Sequence, residues 1–345
     1  WAPMNPSTIS PLTIAYTAGI DWTRKACATA GLASTSTLAN STPPLVSPIT
    51  LSRIGPSVLH GPHHSAQRST TTGTWWDRWT TLQDPVLLIH LTGWIDAGLC
   101  AHEATETILG QIAPVTVAEF ETEWLLDHRA RRPTMHIVEG VNIGLDWPEI
   151  TLVSGRDATG NDVLVLHGAE PDHNWRSFCD AVVSLSQRFG VRRVIGLGSY
   201  PASSPHTRPS RLSVTAATPD LALDVPAGMQ AALEMAHHAA GIESVGLWAQ
   251  VPHYISGAHY PAASLALVDG LVGAAGVVLD SSQLAANALA TRNRLDDLVD
   301  DDSSHRDMLA ALENQYDDLV QAEAEMATSD DPTDEPEAAV RRQHD

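Results

Sequence analysis

The sequence predicts an α/β protein: a three-layer arrangement with a largely parallel sheet between helices, followed by a C-terminal helical extension. Two observations predict it. Between residues 85 and 280, short apolar runs rich in branched residues alternate with longer stretches of helical spacing, the pattern of strands joined by crossover helices. After Asp280 the strand signals stop, and only helical spacing remains.

The elements follow in order. Val86–Leu91 is the first strand, and the turn Thr92 to Gly98 leads into a helical stretch ending near Gly110. Val115–Phe120, Met135–Val138, Ile150–Val153 and Val163–Leu166 read as further strands. Pro171 suits the first turn of a helix, and with Asp172 it opens one reaching Phe189. Val191–Gly198 is a strand of the buried type. A second cycle adds the strand Leu212–Ala216, the helix Ala227–Ala239, the strand Ser244–Gln250 and the helix Tyr260–Val272. Ser281–Val299 and His305–Ala327 have helical spacing, the second with Met308, Leu312, Tyr316, Leu319 and Val320 on one apolar stripe. These predict a helical hairpin over residues 281–327, packed on the α/β body or on a neighbouring subunit.

The flanks differ from this body. Residues 1–84 are crowded with Ser, Thr, Pro and Gly and carry little apolar area to offset ordering entropy, so they read as a disordered leader. Residues 328–345 read as an acidic disordered tail. The chain of 345 residues has 41 acidic against 20 basic side chains, a net charge of −21. Residues 296–345 alone hold 17 acidic and 3 basic ones. This balance excludes nucleic acid as a partner, since phosphate binding scales with the cations supplied. The longest apolar run, Ser264 to Leu279, is broken by Asp269 and is shorter than the ~20 residues a bilayer requires. Three cysteines at wide spacing suit a reducing cytoplasm rather than a disulfide framework or a structural zinc site.

No phosphate loop, nucleophile elbow or H-E-x-x-H motif is present, and Gly196-Leu197-Gly198 lacks the third glycine of a dinucleotide fingerprint. His102, Glu103 and Glu106 share one helical turn and are read as a polar face, so neither a metal nor a cofactor is expected. The polar residues that do gather fall at strand carboxyl ends, where open α/β sheets place ligands. Trp94 and Asp96 follow the first strand; there Asp96 caps the next helix or faces a ligand. Glu121, Arg129 and Arg132 lie in the charged stretch from Glu119, as an ion-pair network or an anion pocket. Glu170 and Trp175 flank Pro171-Asp172. His206 and Arg208 sit in Ser204-Pro205-His206-Thr207-Arg208-Pro209, stiffened by its prolines. His253 and Tyr254 follow the Ser244–Gln250 strand. Together they make a candidate binding rim; the alternative is an oligomer contact without a ligand.

Taken in order, Gly93-Trp94-x-Asp96-Ala97-Gly98, Glu119-Phe120-x-Thr122-x-x-Leu125-Leu126-Asp127-x-Arg129-x-Arg131-Arg132-Pro133, Glu170-Pro171-Asp172-x-x-Trp175, Pro205-His206-Thr207-Arg208-Pro209 and Val251-Pro252-His253-Tyr254 closely resemble the bacterial, actinobacterial-type branch of the proteasome assembly chaperone 2 family. The likeness runs from about Val86 to Ala327, including Leu312-Glu313-x-Gln315-Tyr316-Asp317. It implies a fold similar to nucleoside phosphorylases and related hydrolases, with a C-terminal helical extension and assembly as homo-oligomers. Archaeal and eukaryotic branches dock on the proteasome α-ring through a C-terminal hydrophobic-Tyr-any-residue motif. This sequence ends Arg341-Arg342-Gln343-His344-Asp345, so that role does not carry over by sequence.

The expectation is therefore a cytoplasmic, non-catalytic assembly or scaffolding protein acting as a homo-oligomer, with the rim as its recognition surface. The competing expectation is a binder of small anions or nucleoside-type metabolites, or a phosphorylase-like enzyme. In it Arg129, Arg132 or Arg208 holds the anion, and His206, His253 or Glu121 handles a proton.

Overall fold

The computed structural model of the chain describes residues 51–54, 82–93, 95–216, 225–300 and 303–329. The tail lies outside them apart from residues 328–329, and so does the leader apart from residues 51–54 and 82–84. The strands are β1 (Leu51–Ile54), β2 (Val86–Thr92), β3 (Val115–Phe120), β4 (Thr134–Val138), β5 (Val141–Asp146), β6 (Ile150–Arg156), β7 (Asp162–Ala169), β8 (Arg193–Ala202), β9 (Leu212–Ala216) and β10 (Glu243–Pro252). The helices are α1 (Cys100–Ile112), α2 (Thr122–Leu125), α3 (Trp175–Phe189), α4 (Met229–Ala239), α5 (Pro261–Ala275), α6 (Ser282–Asp300) and α7 (Ser303–Ser329). Within the expected leader, β1 pairs antiparallel with β3.

Among the described residues the main sheet has the order β1-β3-β6-β7-β2-β8-β10-β9. Four neighbours, β7, β2, β8 and β10, are parallel. Antiparallel pairs flank them: β6 on β7, β3 on β6 and β9 on β10. The expectation of a largely parallel sheet is thus corrected to a mixed one with a parallel centre. The reason is local: β6 and β7 are joined by a short turn at Asp157–Asn161, too short for the crossover that parallel pairing demands.

The central strands are apolar on both faces over Val86–Ile89 and Val163–Leu166, because both faces are covered there. Successive β2 residues serve different layers. Val86 and Leu88 pack with Val163, Val165, Ile195 and Leu197 against α1 and α5. Leu87 and Ile89 pack with Leu164, Leu166 and Val194 against Phe178 and Val182 of α3 and Met229 and Leu233 of α4. Helix α5 begins with Pro261 at its first turn and stops at Gly276 in the left-handed region. Helices α6 and α7 are contiguous with α5, α6 packing on it and α7 on α6. On α7, Leu312 is buried and Met308, Tyr316 and Leu319 are half-buried, whereas Val320 faces solvent. The stripe therefore follows steps of four and three residues and omits Val320.

The sequence reading missed β5. It pairs with β4 through a tight turn in which Glu139 and Gly140 both have positive φ, 50° and 79°, the turn that favours a twisted hairpin. Every residue of β4 and β5 is exposed, so this two-stranded arm stands apart from the main sheet.

Candidate functional site

The carboxyl ends of the parallel strands do form one rim, and backbone bonds stitch its loops together. The Glu170 N–H donates to the Thr92 carbonyl (2.8 Å), Gly98 N–H to the Ser256 carbonyl (2.8 Å) and Tyr260 N–H to the Gly98 carbonyl (3.1 Å). Asp96 bridges to Ser199 of β8. Its Oδ1 accepts the Ala101 N–H (2.9 Å) and its Oδ2 the His102 N–H (3.0 Å), while the Ser199 hydroxyl donates to Oδ1 at 2.7 Å. Asp96 therefore caps α1, an anion at a helix N-terminus. Glu170 does the same for α4 from a distant part of the chain: it is 8% exposed, and its Oε1 accepts the Met229 N–H at 2.6 Å. Trp94 lies outside the described residues.

Of the three arginines in the charged stretch, Arg131 is the one that pairs at the rim. Arg131 Nε donates to both oxygens of Asp172 (3.2 and 3.1 Å), and Nη1 donates to the Thr92 carbonyl (3.1 Å). Asp172 also accepts the Asp127 N–H at 2.9 Å. Gly93, at φ 148°, makes room: a Cβ there would lie 2.5 Å from Arg131 Nη2. Arg129 and Arg132 are exposed, and Glu121 is half-buried at the start of α2 with no side-chain capping bond. Trp175 spends its indole N–H on the Pro171 carbonyl (2.6 Å).

The third part of the rim is a clasp on the C-terminal helices. The His206 side chain is fully buried. Its Nδ1 meets the Tyr254 hydroxyl at 2.7 Å, its Nε2 meets Asp296 Oδ1 of α6 at 3.1 Å, and its backbone N–H donates to the same hydroxyl at 2.9 Å. Burial lowers the His206 pKa against the opposing pull of Asp296, and burial pushes Tyr254 up to about 12. Arg208 donates to Asp317 and to Glu313 Oε1 (3.2 Å) of α7, and Asp317 in turn is held ionised below its ordinary range by that hydrogen bond. Thr207 donates to Glu313, Arg211 pairs with Glu323, and the Tyr316 hydroxyl donates to the Pro209 carbonyl (3.1 Å). His253 is exposed; its ring meets Tyr254 edge-on, and its carbonyl accepts the Ser256 hydroxyl at 3.0 Å.

Of the expected residues, then, the structure unites His206, Arg208 and Tyr254 in one clasp, places Asp96 and Glu170 at helix caps, and leaves Arg129, Arg132 and His253 outward. Sequence reasoning included Arg131 in the charged stretch as a pairing arginine, but it did not assign its partner Asp172, nor Asp296, Glu313 and Asp317 as partners of the rim. One signal was available: Glu313 and Asp317 are four residues apart, on the helix side that carries Leu312 and Tyr316. Among the described residues no group of three His, Cys, Asp or Glu is placed to hold a metal ion, and no helix is long and apolar enough to cross a membrane.

With this geometry in view, known proteins give a consistent likeness. The model of the PAC2 family matches residues 90–299. Among solved structures, a protein of unknown function from Mycobacterium tuberculosis is 34% identical with a TM-score of 0.65, covering 70% of this chain and 86% of that one. A PAC2 family protein from Streptomyces avermitilis is 31% identical with a TM-score of 0.59, covering 66% of this chain and 100% of that one. A proteasome-assembly chaperone homologue from Mycobacterium tuberculosis is 28% identical with a TM-score of 0.60, covering 65% of this chain and 99% of that one. Among curated proteins nothing matches. By the extent of the family match, the chain belongs to the PAC2 family.

Proposed function

We propose that the protein is a non-catalytic assembly or scaffolding chaperone that works as a homo-oligomer in the cytoplasm. Family membership and the chaperone homologue among its relatives support the class. The observation that carries the homo-oligomer is the β4–β5 arm. Met135, Ile137, Val138, Val141 and Ile143 are all between 52% and 64% exposed there, an apolar concentration that marks an interaction surface. Among the described residues, each arm strand also has one backbone edge with no neighbouring strand, which suits strand pairing with a second copy. Free thiols at Cys100 and Cys179 accord with a cytoplasmic setting. The three layers and the carboxyl-end rim accord with the phosphorylase-like architecture that the family resemblance implies, as part of the same proposal.

The competing anion-site reading is not supported. Arg208 is engaged by Asp317 and Glu313, His206 is enclosed by Tyr254 and Asp296, and Arg129 and Arg132 face outward. Native mass spectrometry of the wild type and of Ile137→Asp and Ile143→Asp tests the proposal. Both positions are exposed, so the protomer should fold while the oligomer dissociates; a wild type that is monomeric at micromolar concentration overturns it.

A further inference from the structure

A polar row crosses the α1 face of the sheet, one level above the apolar core. In the ladder Glu119 of β3 faces Thr151 of β6, Thr151 faces His167 of β7, and His167 faces His90 of β2. Direct opposition puts all four on the same face. His90 is 5% exposed, and its ring is hydrogen-bonded to the backbone of Leu197 while Nε2 has no hydrogen-bond partner among the described residues. That Nε2 stands 4.0 Å from Asp96 Oδ2, and the His102 ring lies 6.2 Å from the His90 ring, centroid to centroid. Burial lowers the pKa of His90 and of His167, which favours the neutral rings, each with one N–H donor and one acceptor nitrogen; at His90 the bond to Leu197 leaves Nε2 as the acceptor.

A buried lone pair facing a carboxylate oxygen is a costly juxtaposition, because two acceptors share a space with no donor between them. A group that satisfies both must donate at least twice; a water does so, and a protonated amine adds a positive charge facing the Asp96 carboxylate. Glu106, one turn beyond His102 on α1 and close enough to His167 to act on its charge, adds a further anion. At its other end the row opens into a cavity of about 520 Å³ whose walls include His167, Thr151, Asp146, Glu149 and Trp147. Of the two carboxylates, Asp146 already meets His136 Nε2 at 2.7 Å, which leaves Glu149 beside the Trp147 indole, a pairing that suits an ammonium group. From β2 to β6 the row spans two strand spacings, roughly 10 Å, within reach of one chain carrying two or three amines.

We propose that this row is a binding site for an aliphatic diamine or polyamine, one ammonium group lying between His90 and Asp96 and another between Glu149 and Trp147. The proposal is independent of the assembly role. Calorimetric titration of the full chain with spermidine, at physiological ionic strength, tests it against magnesium and 1,4-butanediol. Saturable binding of spermidine alone is expected. Glu106→Gln and His167→Ala should weaken it at least tenfold, and Asp318→Asn on α7 should leave it unchanged. His167→Ala perturbs a half-buried position, whereas Glu106 is exposed and its variant keeps the test valid if the former misfolds. Magnesium binding equally well, or affinity unchanged in Glu106→Gln, would identify diffuse attraction to an acidic chain and overturn the site. Absence of any heat with spermidine would do the same.

Discussion

Arg208 grips Asp317 through two near-parallel hydrogen bonds, Nε to Oδ1 at 2.9 Å and Nη2 to Oδ2 at 2.8 Å, and so fastens the loop after β8 to helix α7. The planar fork fits a carboxylate in a way a lysine ammonium does not. In Arg208→Lys, and more strongly in Arg208→Ala, amide hydrogen exchange across α7 should accelerate while β2, β7 and β8 keep their protection. Equal acceleration in the sheet would show that the clasp is not local.

Acidification should weaken the fold before carboxylates protonate. His206, His237, His90 and His167 all have pKa values lowered by burial from the ordinary 6.5. The unfolded chain therefore binds more protons, and stability is lost as pH falls below 6.5 toward the folded-state values. Around His206 the opposing groups are Asp296 and Glu313, with Arg292 acting in the same direction as burial. Melting temperatures measured from pH 8 to pH 5 should decline through this window; a flat profile down to pH 5 refutes the assignment.

Cys100 and Cys179 should resist alkylation in the native protein. Burial raises their thiol pKa values to about 12 and about 11, so little thiolate exists at pH 8 and access is poor. Iodoacetamide followed by peptide mass mapping should find both unmodified until denaturant is added. Labelling of Cys100 in the folded state would mean that the N-terminus of α1 opens readily.

Gly168→Ala should destabilise the protein by about 2 kcal/mol or more, since its φ of 123° is strained for an alanine and the added Cβ would lie 2.0 Å from the Glu149 carbonyl oxygen. Urea unfolding measures this directly. A change within 0.5 kcal/mol, the usual range for surface positions, would show that the β6 end yields.

The parts of the fold that were legible in the sequence are those decided locally. Val115–Phe120 and Leu212–Ala216 form strands with the boundaries read from their composition, because each run is short and bounded by breakers. Antiparallel pairing of β3 with β6 was not legible, since it depends on which distant edge accepts the strand. The existence of β5 was legible in the alternation of Val141, Ile143 and Leu145, whereas their exposure on a free arm was not, because that pattern signals a half-buried strand. At the rim, three nearby arginines are alike in one dimension. Only the approach of Thr92 and Asp172 selects Arg131 over Arg129 and Arg132. The partners of His206 and Arg208 lie 90 and 109 residues further on, beyond any local pattern.

That separation has a consequence during synthesis. Domains fold from the N-terminal end as the chain emerges, so the loop carrying His206 and Arg208 leaves the ribosome long before Asp296, Glu313 and Asp317 exist. Until α6 and α7 are made, the nascent body displays an unneutralised arginine and an imidazole that no carboxylate has reached. Closure of the clasp therefore has to wait until α6 and α7 have been made.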